Sequence, residues 1–476
     1  MSQISAFSIQ NCITRAFLIL MSSLFLLYSG TQGFGEIALA KYQMFLLLCG
    51  GYTALMLLLL AESALVSGKK CRNLKAVLKE TNWTQRFLAL YLLFTWLSAL
   101  LSPYFPETVI GVSRYEGALT ISIYVVCFFL VRAYGRIDRV LITVFGAAVT
   151  LFDLLCIAQL YGGNPFTLYP VGYGYADAGV AYSGAYLGTI GNVDLVAAFF
   201  CLAIPAFWAA MLRSRDWQRW LLSVPLALSL FVLVKMNVLA GFVGVFAGGA
   251  ISYVVIAPVG ETHRRALAAA FFCLVVGSLA ALYCVDFGGV FHELHSIMHG
   301  EISTTFGSGR IHIWEQVLSA VPEHLLLGTG PDTMLYGGLE AFTRYDESLG
   351  GTIIGRIDVA HNEYLNILYH QGIFALAAYL GALAAAAKKW LRDGGRNARV
   401  AVLGTMLLCY GIQAFFGFSM VMTAPYFYLT LALFDKSDVS EGGNQYAQSE
   451  NAVAQPESGT RDASHDAAGA GCGHCH

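Results

Sequence analysis

The stretch LAGFVGVFAGGAISYVVIAP at residues 239–258 is apolar from end to end and contains no charged side chain. A helix of about 20 apolar residues is long enough to cross the hydrocarbon core of a bilayer. Comparable runs recur on both sides of this stretch, so the sequence predicts an all-α polytopic membrane protein with about 12 transmembrane helices. The predicted spans lie near residues 16–35, 42–65, 86–102, 117–133, 139–160, 192–212, 219–236, 239–258, 265–285, 363–386, 400–420 and 423–435.

The composition of the whole chain agrees with a membrane environment. Hydrophobic residues make up 57% of the sequence and charged residues 12%, and the mean hydropathy of +0.62 lies outside the range of ordinary soluble domains. The net charge of −2 gives no reason to expect nucleic acid as a partner. Most of the 11 cysteines lie in apolar runs, which indicates small core side chains rather than disulfides. Membrane lipid is therefore the expected surrounding medium.

Lysine and arginine predict the orientation of the spans, because they are concentrated in cytoplasmic connections. Three alternate connections are basic and carry Lys69, Lys70, Arg72, Lys75 and Lys79; Arg213, Arg215 and Arg219; and Lys388, Lys389, Arg392, Arg396 and Arg399. Both termini are then cytoplasmic. We divide the chain into a transmembrane domain at residues 1–436 and a tail at residues 437–476, whose polar composition predicts a disordered cytoplasmic segment.

One predicted extracytoplasmic loop, residues 286–362, is too long for a connector and is the expected catalytic region. Within it, Ser308 is a predicted cap for a short helix whose apolar face is Trp314, Val317, Leu318 and Val321. Arg310 lies in the first turn of this helix, where a cation opposes the helix dipole unless an anion is bound. The sequence therefore predicts a phosphate site at Arg310, the alternative being an exposed arginine on a surface loop.

Arg114 repeats this arrangement at the outer end of the fourth predicted span. Ser113 and Glu116 have the spacing of a capping box, which places Arg114 beside a helix start. A second outward cation at a helix start favours a shared anion, whereas an interfacial arginine that reaches the lipid headgroups explains either cation singly.

His361 stands where the tenth predicted span leaves the long loop, between Asp358 and Asn362. A carboxylate three residues earlier lies about one helical turn away and orients the imidazole, which makes His361 a candidate general base. The alternative is an ordinary polar residue at a helix end. On the same face, Asn192 is placed to cap the sixth span. Lys235 lies near the end of the seventh span, where a charged side chain costs free energy and therefore indicates a functional cavity. We predict no metal site.

Two segments resemble the O-antigen ligase and polymerase superfamily. They are GSGRIHIWEQVLSAVPEHLLLGTGPDTM at residues 307–334 and DVAHNEYLNILYHQGIFAL at residues 358–376, and the SRYEG and GTIGN segments at 113–117 and 188–192 fit as well. The resemblance rests on a Gly-Arg-x-x-x-Trp helix that includes Trp314, a Pro followed by a Gly-x-Gly turn, and an Ala-His-Asn-x-Tyr-Leu helix start, in that order. It covers nearly the whole chain except the tail.

The resemblance implies an inverting, metal-independent glycosyltransferase without a cofactor. The donor is then a glycan linked to undecaprenyl diphosphate, and the acceptor is a glycan or a lipid. The reaction takes place at the outer face of a bacterial plasma membrane. By the same resemblance, Arg310 binds the diphosphate and His361 activates the acceptor hydroxyl.

The chain departs from the family at one cation. The family commonly carries another arginine in a Ser-Arg-Gly type segment, and the corresponding KMNVL at residues 235–239 places Asn237 there. Lys235 and Arg114 are the candidate replacements, although a lysine lacks the bidentate fork of arginine. Two other functions therefore stay open: a flippase or transporter of the same lipid-linked glycan, and a catalytically silent partner in a glycan-assembly complex.

Overall fold

The computed structural model describes residues 2–67, 80–169, 187–213, 217–257, 259–288, 290–303, 306–307, 309–346 and 351–436. Contacts divide the chain into two units, Met1–Ser437 and Asp438–His476. The second unit, the predicted tail included, lies outside the described residues. So do the first basic connection, residues 170–186 and Ser308.

Helices dominate the first unit. In chain order they are α1 (Ser2–Leu20), α2 (Ile37–Phe45), α3 (Gly51–Ser67), α4 (Trp83–Leu101), α5 (Ala118–Tyr134), α6 (Arg139–Leu160), α7 (Val193–Arg213), α8 (Ser223–Met236), α9 (Leu239–Phe242), α10 (Gly248–Ile256), α11 (Glu261–Cys284), α12 (Val290–Met298), α13 (Arg310–Ala320), α14 (Glu363–Asp393), α15 (Ala398–Gln413) and α16 (Ala424–Lys436). Wider π-helical turns continue three of them, at Met21–Phe25, Leu46–Gly50 and Val243–Ala247.

Within the described residues, eight helices are long and apolar enough to cross a membrane, by length and composition. They are Gly33–Val66, Trp83–Leu101, Arg139–Leu160, Val193–Leu212, Arg219–Met236, Leu239–Ile256, Glu261–Cys284 and Glu363–Asp393. Shorter apolar helices occupy Ile9–Phe25, Ala118–Tyr134 and Ala398–Gln413. The described part of the chain is about 76% helical, as expected of an all-α polytopic membrane protein. The predicted total of about 12 spans stays a prediction.

The described residues also contain one β-hairpin, which the sequence analysis did not predict. Strands β1 (Phe342–Asp346) and β2 (Gly351–Gly355) pair antiparallel, with Phe342 opposite Gly355 and Asp346 opposite Gly351. The hairpin lies in the segment between α13 and α14, so the all-α prediction holds for the apolar helices but not for this segment.

Side-chain caps explain where several helices begin. Asn82 and Gln85 form a capping box ahead of α4, and Asp138 accepts a hydrogen bond from the Leu141 N–H at the start of α6. The first N–H groups of a helix have no partner within the helix, so each such cap satisfies one of them.

The capping box predicted at Ser113 and Glu116 is wrong. Helix α5 begins at Ala118 after Gly117, which makes no side-chain cap. Ser113 Oγ instead donates to Asp332, and Glu116 accepts a hydrogen bond from the Tyr124 hydroxyl. Both side chains are drawn into tertiary contacts that the local spacing does not reveal.

Helix α13 differs from its prediction in the face that it buries. Ile313 and Val317 are its buried residues, Val321 is buried just beyond its end, and the Leu318 side chain is 53% exposed. The helix begins at Arg310, directly after Gly309 in a left-handed conformation.

The centre of the core is α7, nearly all of whose residues from Leu195 to Ile204 are buried. Helix α15 packs along α7, α14 along α4, and α16 along α5. Helix α11, by contrast, has no buried residue and contacts the rest through α10 and α12. The packing thus brings the first turns of α7 and α14 to the same end of the molecule as Arg114 and α13.

A break inside α14 is held by the turn after α13. Gly372 has φ 81°, so the helix is interrupted there. The freed carbonyls of Tyr369 and His370 accept hydrogen bonds from the N–H groups of Thr329 and Gly330, at 3.0 and 2.8 Å. Broken helices persist inside a membrane when other parts of the protein satisfy the backbone in this way.

We expect Gly372→Ala to destabilise the protein, by about 1–3 kcal/mol for a non-glycine residue in such a conformation. The new Cβ would also meet the backbone of Leu326 and Leu327. The measurement is the midpoint of thermal unfolding in detergent. Gly277→Ala is the matched control, because nothing lies within 4 Å of its Cβ position. An unchanged midpoint for Gly372→Ala would contradict this account of the break.

Candidate active site

A single carboxylate, that of Asp194, lies between the two side chains that the sequence singled out for catalysis. Nη2 of Arg310 is 3.4 and 3.3 Å from Oδ1 and Oδ2 of Asp194. Nδ1 of His361 is 3.6 Å from Oδ2 of the same carboxylate. The starts of α7 and α13 and the residue pair before α14 therefore meet at one point.

Asn192 explains why Asp194 is held there. Its side-chain oxygen accepts hydrogen bonds from the N–H groups of Asp194 and Leu195, at 2.9 and 3.2 Å, and so caps α7 as predicted. Asp194 is then in the first turn, where a negative charge is favoured by the helix dipole. Asp194 was not among the residues predicted from the sequence. The signal that could have identified it is a carboxylate two residues after a capping asparagine, at a helix start that is predicted to face outward.

The loop before α13 constrains Arg310. The Gly307 carbonyl accepts a hydrogen bond from Nη1 of Arg310 at 3.2 Å, while the Gly307 N–H donates to Glu293 of α12 at 2.9 Å. The third guanidinium nitrogen, Nε, is buried and has no hydrogen-bond partner among the described residues.

His361 has a strained backbone and a defined ring environment. Its φ is 48°, a conformation that is costly for a residue other than glycine and is concentrated at functional sites. The next residue, Asn362, caps α14 by accepting from the Leu365 N–H at 3.0 Å. The imidazole packs edge-on against the Phe418 ring, with 5.2 Å between ring centroids. Nδ1 is buried without a hydrogen bond among the described residues.

Asp358 does not orient His361, contrary to the sequence prediction. It pairs with Arg114, with Nε–Oδ2 and Nη2–Oδ1 distances of 3.0 and 3.1 Å. The prediction assumed a helical turn between Asp358 and His361, but α14 begins only at Glu363. Asp194, far away in sequence, takes the position expected of Asp358.

Arg114 is fixed on both sides. Its guanidinium carbon lies 4.6 Å above the centre of the Phe418 ring, which also packs against the His361 imidazole. Its backbone N–H donates to Asp332 at 2.8 Å, and Asp332 also accepts from the Ser113 N–H and hydroxyl. Asp332, which follows the Gly-x-Gly-Pro turn, was also missed from sequence. Arg114 and His361 are therefore neighbours through one aromatic ring.

A small polar cavity adjoins the Arg114–Asp358 pair and leads inward past Glu116 and Gln371. About 50 Å³ of it is accessible to water, room for one or a few molecules. Burial raises the pKa of the Glu116 carboxyl well above its ordinary value. The side-chain amide oxygen of Gln371, Oε1, is buried and has no hydrogen-bond partner among the described residues.

Three other predicted site residues have structural contacts. Trp314 Nε1 donates to the Ala360 carbonyl at 2.8 Å, which ties α13 to the backbone just before His361. Asn237 has φ 53° and ends α8, a position that asparagine tolerates better than most residues. Lys235 lies over the Phe231 ring and, in the part of the chain that is described, forms no ion pair with Asp194 or Asp358.

The site is electrically balanced, because each arginine faces one aspartate. The side chains of Arg310 and Asp194 are 22% and 18% exposed, and those of Arg114 and Asp358 are 23% and 30% exposed. Such half-buried pairs are screened less by salt than surface pairs are. An arriving anion must therefore compete with a carboxylate at either arginine.

Part of the chain is similar to a known protein family. Residues 195–380 match a family model described as O-Antigen ligase. The matched range begins one residue after Asp194 and includes Arg310 and His361, whereas Arg114 precedes it. No curated protein matches the chain. The resemblance predicted from the sequence is thus confirmed over residues 195–380, where this multi-pass membrane protein is similar to the O-antigen ligase family.

Proposed function

We propose that this protein is a glycosyltransferase that ligates or polymerises a glycan carried on undecaprenyl diphosphate, at the outer face of the bacterial plasma membrane. The O-antigen ligase match supports a lipid-linked glycan donor and a separate acceptor. The observation that carries the proposal is the convergence of Arg310 and His361 on Asp194. A cation suited to a diphosphate and a base suited to a hydroxyl thereby share one site.

The proposed reaction is a single displacement. The acceptor hydroxyl oxygen attacks the anomeric carbon as the bond from that carbon to the diphosphate oxygen breaks, so the configuration inverts. His361 takes the hydroxyl proton, and undecaprenyl diphosphate leaves with the bonding electrons. Because Nδ1 of His361 faces Asp194, the other ring nitrogen, Nε2, is the one assigned to the acceptor.

Arg310 is assigned to the leaving diphosphate. A guanidinium forms two parallel hydrogen bonds to phosphate oxygens, and the first N–H groups of α13 add to the positive potential. Negative charge grows on the diphosphate as the bond breaks, so this contact is stronger in the transition state than in the ground state. Arg114, paired with Asp358 beside the site, is the second cation that the proposal assigns to the donor.

The remaining predicted residues take supporting parts in the proposal. Asn192 and Asn362 hold the helix starts beside Asp194 and His361, and Trp314 fixes the backbone before His361. Lys235 and Asn237, at the end of α8, stay candidate substrate contacts.

The proposal is tested with purified protein in lipid vesicles, supplied with a glycan on undecaprenyl diphosphate and a matching acceptor. We expect glycan transfer that a strong chelator such as EDTA leaves unchanged, because Arg310 and Arg114 supply the charge that divalent cations supply elsewhere. Loss of transfer in EDTA, restored by magnesium or manganese, would contradict metal independence. Passage of the donor across the membrane without a new glycosidic bond would favour the transporter hypothesis.

A further inference from the structure

The Asp194 carboxylate lies between Arg310 and His361, and it is farther from each of them than an ordinary charge-assisted hydrogen bond. Its contacts with Arg310 are 3.3 and 3.4 Å and its contact with His361 Nδ1 is 3.6 Å. Charge-assisted hydrogen bonds are ordinarily about 2.7–2.9 Å. The carboxylate is thus near both side chains and fully bonded to neither.

Each partner also has a buried nitrogen that lacks a hydrogen bond. Among the described residues, Nε of Arg310 and Nδ1 of His361 are both buried and unpaired. Buried donors left without acceptors cost free energy, so each indicates a contact that forms in another state of the site. An anion at Arg310 and a carboxylate at His361 would complete both at once.

The surrounding groups leave Asp194 as the acceptor for His361. Asp358 is engaged by two nitrogens of Arg114. Among the described residues, the aromatic ring that packs against His361 is Phe418, whose side chain offers no acceptor. The backbone of Asp194 is anchored by Asn192, so only its side chain needs to move, by less than about 1 Å to reach ordinary hydrogen-bond distance.

We propose that Asp194 is a positioning residue that exchanges partners when the donor binds: the diphosphate takes Arg310, and the released carboxylate closes on Nδ1 of His361. This inference rests on the proposed function. No proton moves in the exchange, because Asp194 stays ionised and Nδ1 keeps its hydrogen. The acceptor's proton later goes to Nε2, and the imidazolium releases it to water after transfer.

The exchange makes the base ready only when a donor is present. Once Asp194 accepts from Nδ1–H, the tautomer is fixed and the Nε2 lone pair is available to the acceptor hydroxyl. The same carboxylate stabilises the positive imidazolium that forms during transfer. By thermodynamic linkage, whatever strengthens the bond between Asp194 and His361 also strengthens diphosphate binding.

The test is Asp194→Asn, which keeps the shape of the side chain and removes its charge. Two quantities are measured: the affinity for undecaprenyl diphosphate, and the single-turnover rate of transfer at saturating donor. We expect the affinity to rise several-fold, because the competing charge at Arg310 is gone. The rate falls about 10-fold to 100-fold, a part of what general-base catalysis contributes.

These opposite signs separate the proposal from a purely structural role. If Asp194 only holds Arg310 in place, the variant binds diphosphate more weakly and transfers more slowly. Weaker binding, or a wild-type transfer rate, overturns the proposal. Asp138→Asn is the matched control: it makes the same substitution at the start of α6, where Asp138 pairs with Arg15 and asparagine can keep the helix cap, and both quantities should stay unchanged.

Two further arms keep the outcome interpretable. If Asp194→Asn does not fold, Asp194→Ser takes its place, because serine is also favoured near helix starts. Inorganic diphosphate serves as a second ligand that needs no glycan chemistry. If wild-type protein transfers no glycan, the proposed function fails, while tighter binding of inorganic diphosphate to the variant still shows the competition at Arg310.

Discussion

Replacing His361 by alanine is expected to lower the rate of glycan transfer by about 10²-fold to 10⁴-fold, the usual contribution of a general base. The donor should still bind, because Arg310 keeps its place. Its affinity should fall only slightly, because the released Asp194 then has no imidazole to bind. The measurement is single-turnover transfer in vesicles with the donor at saturation. Its signature is a loss of rate without a matching loss of donor affinity.

His263→Ala is the control for this variant. His263 lies in the first turn of α11, a helix that has no buried residue, and it is exposed. Loss of a histidine there should leave transfer unchanged. Wild-type rates in His361→Ala would remove the imidazole from the mechanism, whereas absence of transfer by the unsubstituted protein would favour the catalytically silent partner.

Replacing Arg310 by alanine is expected to reduce kcat/KM for the lipid-linked donor about 10²-fold to 10⁴-fold. Hydrogen bonds to charged groups contribute about 1.5–3 kcal/mol each, and two of them form in the proposed complex. Part of the loss appears in kcat, because the diphosphate gains charge as it leaves. Arg310→Lys should recover only a fraction, since an ammonium lacks the planar fork that matches phosphate oxygens.

The control is Arg265→Ala, at a side chain that is 80% exposed and paired only along its own helix with Glu261. It removes the same charge from the protein without touching the site. If Arg310→Ala and Arg265→Ala have the same kcat/KM, the diphosphate does not bind at Arg310.

The membrane fold could be predicted from the sequence, because apolar runs of sufficient length have few structural alternatives to a membrane-spanning helix. The stretch at 239–258 illustrates this, since Leu239–Ile256 is one of the helices that can span a membrane. The hairpin of β1 and β2 was not accessible, because its pairing depends on the segments around it. The observed start of a helix differs from the predicted one where a glycine interrupts the apolar run, as at Gly117 before α5.

Only part of the site could be predicted from the sequence. Arg310 and His361 were singled out by their places at helix starts, and the structure brings both to one carboxylate. That carboxylate could not be named, because Asp194 is 116 residues from Arg310 in the chain and has an ordinary local explanation in the first turn of α7. The pairing of Asp358 was wrong because no periodic pattern predicts the left-handed backbone at His361.

Asn237 shows how structure changes the meaning of a departure from a family pattern. In the sequence, it stands where the family commonly carries an arginine, so a positive charge is missing. In the structure it ends α8 in a left-handed conformation, where asparagine is well suited. The charge of the site instead comes from Arg310 and Arg114, each balanced by an aspartate.

The most direct test of the central claim follows both products of one reaction in purified protein. We predict that each new glycosidic bond is accompanied by one released undecaprenyl diphosphate, and that the transferred sugar has the opposite anomeric configuration to that in the donor. Retained configuration, or transfer without release of the lipid diphosphate, would contradict a single displacement by an acceptor hydroxyl activated at His361.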